Sequence, residues 1–217
     1  MMVGQARYDA RDMPASNQVP GFVPSVHGLH FANRWEPGPT IRLGVLDPRL
    51  VGVGDAKAGL CGGMAWFVRE RFERGLPVPP DRAAPPNGSP LFRSIVRRQI
   101  LSLDWLRVPL RFWRAAAMPP DALVRYSRDV AWPAVRRVID EGRLPLVGLI
   151  RHHGWSPFEL DRDHQVLAYR YAVTGDRVTL RLYDPNWPDR DDVAVTLSPA
   201  GLGQSTGERL LGIIALG

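Results

Sequence analysis

A chain of 217 residues with a single cysteine, Cys61, has no internal disulfide and no multi-thiolate zinc site, so that thiol needs another reason to be there. Lysine is equally scarce: among 28 basic side chains only Lys57 is lysine, and the rest are arginine. The net charge of +6 is carried by arginines scattered from Arg7 to Arg209, doubled only at Arg97-Arg98 and Arg136-Arg137. Without a basic cluster there is no electrostatic footprint for nucleic acid. Long apolar runs are missing too. The charge-free stretch Ala58–Val68 is eleven residues long, against the roughly 20 that cross a bilayer, so no membrane partner is expected. Arg7, Asp9, Arg11 and Asp12 interrupt the N-terminus with no apolar run behind them. That argues against an ordinary secretory signal and makes the cytoplasm the expected location.

What is present is a folded composition, 45% hydrophobic and 23% charged. The length suits one core. Residues 1–40 carry Pro14, Pro20, Pro24, Pro37 and Pro39 and read as an irregular arm, with a short strand at Leu29–Ala32. Residues 41–217 read as a single domain, and a further strand is expected at Thr40–Leu46. From Cys61, the spacing of Met64, Ala65, Phe67, Val68, Phe72 and Leu76 predicts an amphipathic helix, with Gly75 in position to stop it. A loop over 76–90 holds five prolines between positions 77 and 86. Asn87 or Ser89 then caps a second helix carrying Leu91, Phe92, Ile95, Val96, Ile100 and Leu103. A third helix runs from about Asp129 or Ala131 to Glu141, before Gly142.

The second half changes period. Leu144–Ile150 suits a buried strand. Gln165–Thr174 and Arg177–Tyr183 flank Gly175-Asp176 as a β-hairpin. Val193–Leu197 and Leu210–Leu216 supply two more strands. Helices first and antiparallel strands after predict an α+β fold, with a helical lobe over about 55–142 and a sheet lobe over about 143–217.

Cys61 stands at a predicted helix start, where unpaired N–H groups and the helix dipole favour a thiolate. Gly59, Gly62 and Gly63 clear side chains from around the sulfur and leave room for a carbonyl to reach the backbone. A nucleophilic thiol needs a base, and the base needs an orienting acceptor. His164 opens the first hairpin strand and Asp184 closes the second, so antiparallel pairing brings them to one end of the ladder. Register decides the acceptor. A three-residue loop at 174–176 sets His164 opposite Asn186, with Asp184 one diagonal step away on the same face. A two-residue loop puts His164 and Asp184 on opposite faces. The pairs His27/His30 and His152-His153 lack a third ligand at telling spacing, so no metal is expected. His152 is placed near the cleft mouth.

In order and context this set resembles the papain-like cysteine peptidase superfamily. The closest likeness is to the branch holding the peptidase domains of bacteriocin-processing ABC transporters. The resemblance rests on the Cys61-Gly62 helix start, the Gly142 to Pro145 strand lead-in, His164-Gln165-Val166 and Asp184-Pro185, and it covers roughly residues 52–188. It implies a papain-like α+β fold and a thiol hydrolase, peptidase or amidase, with Cys61, His164 and Asp184 as triad, Asn186 as alternative orienter and no cofactor. Trp187 is similar to the tryptophan that shields the His–Asp/Asn bond, and with His152 it would form a cleft wall. Family members usually place Gln about six residues before the cysteine, as an oxyanion donor beside the Cys N–H. Here that oxyanion position is Asp55, and a carboxylate repels an oxyanion. The alternative is therefore an inactive papain-like scaffold that binds a peptide or protein partner.

Overall fold

The computed structural model describes residues 15–36, 60–102, 107–154 and 164–216. The strand expected at 40–46, together with Asp55, Lys57 and Gly59, lies outside them. In the arm, β1 (Ser16–Gln18) precedes a short helix, α1 (Pro24–His27). The expected strand at 29–32 does not form. There the chain bends, burying Leu29 and Phe31, and the Asn33 N–H donates to the Pro185 carbonyl at 2.9 Å. The arm is also no separate segment. Val19, Phe22, Leu29, Phe31 and Trp35 belong to the main hydrophobic cluster.

Helix α2 (Cys61–Glu73) begins on the cysteine and buries Met64, Ala65, Phe67 and Val68. It ends as its sequence predicts. Gly75 takes φ 63°, a region costly for any residue with a Cβ. Its N–H and that of Leu76 then return to the carbonyls of Phe72 and Arg71 at 3.0 and 2.8 Å. Helix α3 (Pro90–Ser102) is capped by Ser89, whose Oγ accepts from the Phe92 N–H at 3.2 Å. Asn87 instead donates to the Glu36 carbonyl. Glu70 joins the two helices by accepting from Arg98 at 2.9 Å.

Helix α4 (Arg107–Ala116) and helix α5 (Pro120–Tyr126) follow, and neither was expected. Pro109, Pro119 and Pro120 break the apolar period that would have shown them, yet prolines in a first turn cost no hydrogen bond. A π-helical turn, Ser127–Ala131, leads into α6 (Trp132–Asp140), the expected third helix.

The remaining strands are β2 (Leu146–Ile150), β3 (His164–Thr174), β4 (Arg177–Tyr183), β5 (Ala194–Ser198), β6 (Gly201–Gln204) and β7 (Gly212–Ala215). They pair antiparallel in the order β6-β5-β4-β3-β2-β7, in a sheet that curls as a half-barrel. β1 pairs with β3 at residues 170–172, beyond the stretch that β2 covers. Two described elements of the sheet, β1 and β6, were announced by no pattern, and for β6 the reason is plain. Its Gly201-Leu202-Gly203-Gln204 has a single large hydrophobe and no alternation.

The fold is α+β, helices leading and sheet following. β2 is buried along its whole length because both its faces are covered. Leu146, Val147 and Leu149 join the main core, while Ile150 packs with Phe112 of α4 and Leu123 of α5. Helix α2 lies against α3 and β3, which carries the first residue of one element to the beginning of the other.

Candidate active site

Two element termini build the site. Leu60, just ahead of α2, has no side chain able to cap it, so the first amides of the helix are satisfied from elsewhere. Gln99 of α3 takes the Gly63 N–H at 2.6 Å. The N–H groups of Gly62 and Gln165 donate to the Cys61 sulfur. The half-buried thiol thus sits in a ring of donors, on the positive end of α2.

His164 is the second component. Its Nε2 lies 2.6 Å from Asp184 Oδ1, and the ring also bonds to Cys61. Since the carboxylate occupies Nε2, Nδ1 is the nitrogen left for the sulfur. Both His164 and Asp184 are buried. Asp184 Oδ1 further accepts from the Asn186 N–H at 2.8 Å, and Oδ2 accepts from Gln204 Nε2 at 3.1 Å. Asp184, and not Asn186, is therefore the side chain that meets the ring. Asn186 supports it through its main chain, and its side chain faces Asn33.

Register explains that outcome. The hairpin loop has two residues, Gly175 and Asp176, between the partners Thr174 and Arg177. An unbroken ladder from that turn would separate His164 and Asp184 onto opposite faces. A β-bulge at Tyr169 intervenes: Ala168 pairs with Leu182 and Arg170 with Arg181, so one residue of β3 is passed over. Extended to His164, the shifted register has the parity that a three-residue loop would have given. The Tyr169 carbonyl, displaced from the ladder, accepts from the Val19 N–H at 2.7 Å.

The electrostatics follow from this packing. Burial by itself would raise the Cys61 pKa, but the adjacent His164 and the two N–H donors hold it below its ordinary value. Burial likewise opposes a charged His164, yet Asp184 and Cys61 raise its pKa to about 10. Asp184 is pushed up by burial and pulled further down by His164, the Asn186 N–H and Arg151, ending below 3.8. All three shifts favour thiolate, imidazolium and carboxylate together.

Two of the three glycines read as clearing space for substrate turn out to serve packing. A Cβ on Gly62 would lie 2.6 Å from Gln165 Oε1, and one on Gly63 would lie 2.3 Å from the Ile95 carbonyl. They let α2 approach β3 and α3. The remaining expected site residues are placed as follows. Trp187 donates its indole N–H to Glu208 at 3.2 Å and carries the Arg190 guanidinium over its ring. Its main-chain N–H returns to the Asp184 carbonyl at 2.9 Å, which closes the turn behind the carboxylate. His152 is buried just beyond the end of β2. His27 stacks on Phe22, whereas His30 pairs with Asp189 at 2.5 Å, so the two rings do not converge.

Comparison of the chain with protein-family models, with curated proteins and with solved structures finds no match. The chemistry is therefore argued from the geometry alone. Sequence reading missed Gln204 and Arg151. Arg151 donates to Gln204 Oε1 at 3.0 Å, which obliges the amide to turn its Nε2 toward Asp184. No spacing rule announces this pair, because it depends on β6 closing over the end of β2.

Proposed function

We propose that the chain is a papain-like thiol hydrolase acting on peptide or amide bonds by acyl transfer. The observation that carries this reading is the unbroken line of contacts from the Cys61 sulfur through the His164 ring to the Asp184 carboxylate. The pKa shifts along that line point the same way.

In the proposed reaction the Cys61 thiolate attacks the carbonyl carbon, and the developing oxyanion is met by the Cys61 N–H at the start of α2. Imidazolium His164 gives its Nδ1 proton to the departing amine as the C–N bond breaks, leaving a thioester. Water then attacks the thioester. His164 takes its proton, a carboxylic acid leaves, and the sulfur returns to thiolate. Asp184 keeps the ring in one tautomer and stabilises its charge.

The test is alkylation of purified protein by iodoacetamide or an electrophilic peptide probe at pH 6. Wild-type protein is expected to label quickly and Cys61→Ala not at all. A wild-type thiol that reacts only as fast as an ordinary one at that pH would leave the inactive peptide-binding scaffold as the reading. In that case, peptide binding would survive Cys61→Ala.

A further inference from the structure

The arm contributes more to this site than core residues. We propose that Asn33 is a positioning residue for the Cys61–His164 pair, an inference that rests on the hydrolase reading above. Its carboxamide bridges the two segments that deliver the reacting groups. Oδ1 accepts from the Leu60 N–H at 2.7 Å and from the Trp35 indole N–H at 2.9 Å. Nδ2 donates to Asn186 Oδ1 at 3.3 Å, and the Asn33 main-chain N–H donates to the Pro185 carbonyl at 2.9 Å.

The orientation of this amide is dictated by chemistry. Backbone and indole N–H groups can only donate, so Oδ1 must face Leu60 and Trp35, and Nδ2 must then face Asn186. Neither aspartate nor leucine could make all three side-chain bonds. The two ends of the bridge matter equally. Leu60 is the residue through which the chain enters Cys61, and its N–H has no partner within α2. Asn186 is the residue whose own N–H holds Asp184 Oδ1, the oxygen that orients His164. Asn33 thereby fixes the backbone just before the sulfur relative to the loop behind the carboxylate. Loss of the bridge lets the two separate by fractions of an ångström, and a sulfur–imidazole contact is weakened by displacements of that size.

A merely structural asparagine and a positioning one differ in what they do to the thiol. The experiment measures iodoacetamide alkylation rate against pH, from pH 5 to 9, on the full chain, with thermal midpoints recorded alongside. Four proteins are compared: wild type, Asn33→Ala, Asn186→Ala and Ser25→Ala. Ser25 serves as control because it ties the same arm to Asp191 at 2.8 Å, away from the sulfur. Asn33→Ala is expected to move the midpoint of the rate profile up by about one pH unit, so that labelling below the midpoint slows about tenfold. Ser25→Ala is expected to lower the thermal midpoint without moving the rate profile.

An unmoved profile in Asn33→Ala overturns the proposal, as does an equal movement in Ser25→Ala. Should Asn33→Ala not fold, Asn186→Ala decides, since it cuts only the cross-link: a raised midpoint supports the bridge and an unchanged one overturns it. A wild-type profile centred at the ordinary thiol value would instead refute the hydrolase reading, and that is visible without any variant.

Discussion

His164 Nε2 and Asp184 Oδ1 lie 2.6 Å apart because β3 spends one residue, Tyr169, on a bulge before reaching its paired end. The bond is buried, its carboxylate holds four partners' charge or hydrogens, and its imidazole is left with one free nitrogen that faces sulfur. The reactivity proposed for Cys61 rests on that arrangement, and it can be tested from several directions.

Replacing the imidazole removes the neighbouring positive charge and one hydrogen bond from the thiolate. In His164→Ala the thiol should return toward an ordinary pKa, near 8.5, so that less than about 1% is thiolate at pH 6. Alkylation at that pH is expected to slow roughly a hundredfold. Comparison of second-order rates with the wild type measures it, and equal rates would remove His164 from the mechanism.

Asp184→Asn keeps the shape but not the charge. Since Asp184 is the leading contribution that lifts His164 to about pH 10, the ring in this variant should titrate well below that value. NMR of the imidazole resonances reads the midpoint directly. With a substrate in hand, turnover should fall by about two to four orders of magnitude, as expected when a buried orienting carboxylate is neutralised. A ring that still titrates near pH 10 would show that Asp184 does not set its charge.

Stability should depend on pH with a definite sign. His164 has a folded-state pKa above 6.5, so its contribution is complete below that value and is lost as pH rises through the folded one. Asp184 has a folded-state pKa below 3.8, so its contribution is present above that value and is lost as pH falls through the lowered one. The cleanest comparison uses Cys61→Ser with and without His164→Gln, by urea unfolding between pH 5 and 10. The advantage of the histidine should shrink as pH rises. Without the thiolate its midpoint should lie below the wild-type value of about 10. An advantage that grew with pH would contradict the charge assignment.

Gly63→Ala tests the packing that sets α2 in place. The added methyl meets the Ile95 carbonyl at 2.3 Å and Gln99 beyond it, and backbone cannot move aside cheaply. A loss of about 3 kcal/mol is expected from urea unfolding, at the upper end for overpacking. Gly75→Ala offers a contrast, with open space around it but φ 63°. It should cost only about 1 kcal/mol. A cost at Gly63 no larger than that at Gly75 would mean that the α2–α3 approach yields to a methyl group.

Much of this arrangement is written in local pattern. Apolar spacing after Cys61 announced α2, Gly75 its end, Asn87 or Ser89 the next cap, and the runs around Gly175 the hairpin. Those features depend on residues within a few positions of one another, so a sequence displays them. α4 and α5 were hidden because proline interrupts their periodicity while being harmless in a first turn. β6 was hidden because Gly201 to Gln204 gains its place from β5 alongside it and not from its own hydrophobicity.

The sequence by itself determined the elements that carry Cys61, His164 and Asp184, because helix starts and strand ends are governed by short-range sterics and hydrogen bonding. Only the tertiary structure decided that Asp184 rather than Asn186 meets the ring, since the choice turns on a bulge at Tyr169 whose carbonyl is satisfied by Val19, 150 positions away. It also decided that Asn33, Arg151 and Gln204 attend the site. Their side chains are polar residues in irregular or weakly patterned segments, and they acquire partners only when distant backbone closes around them.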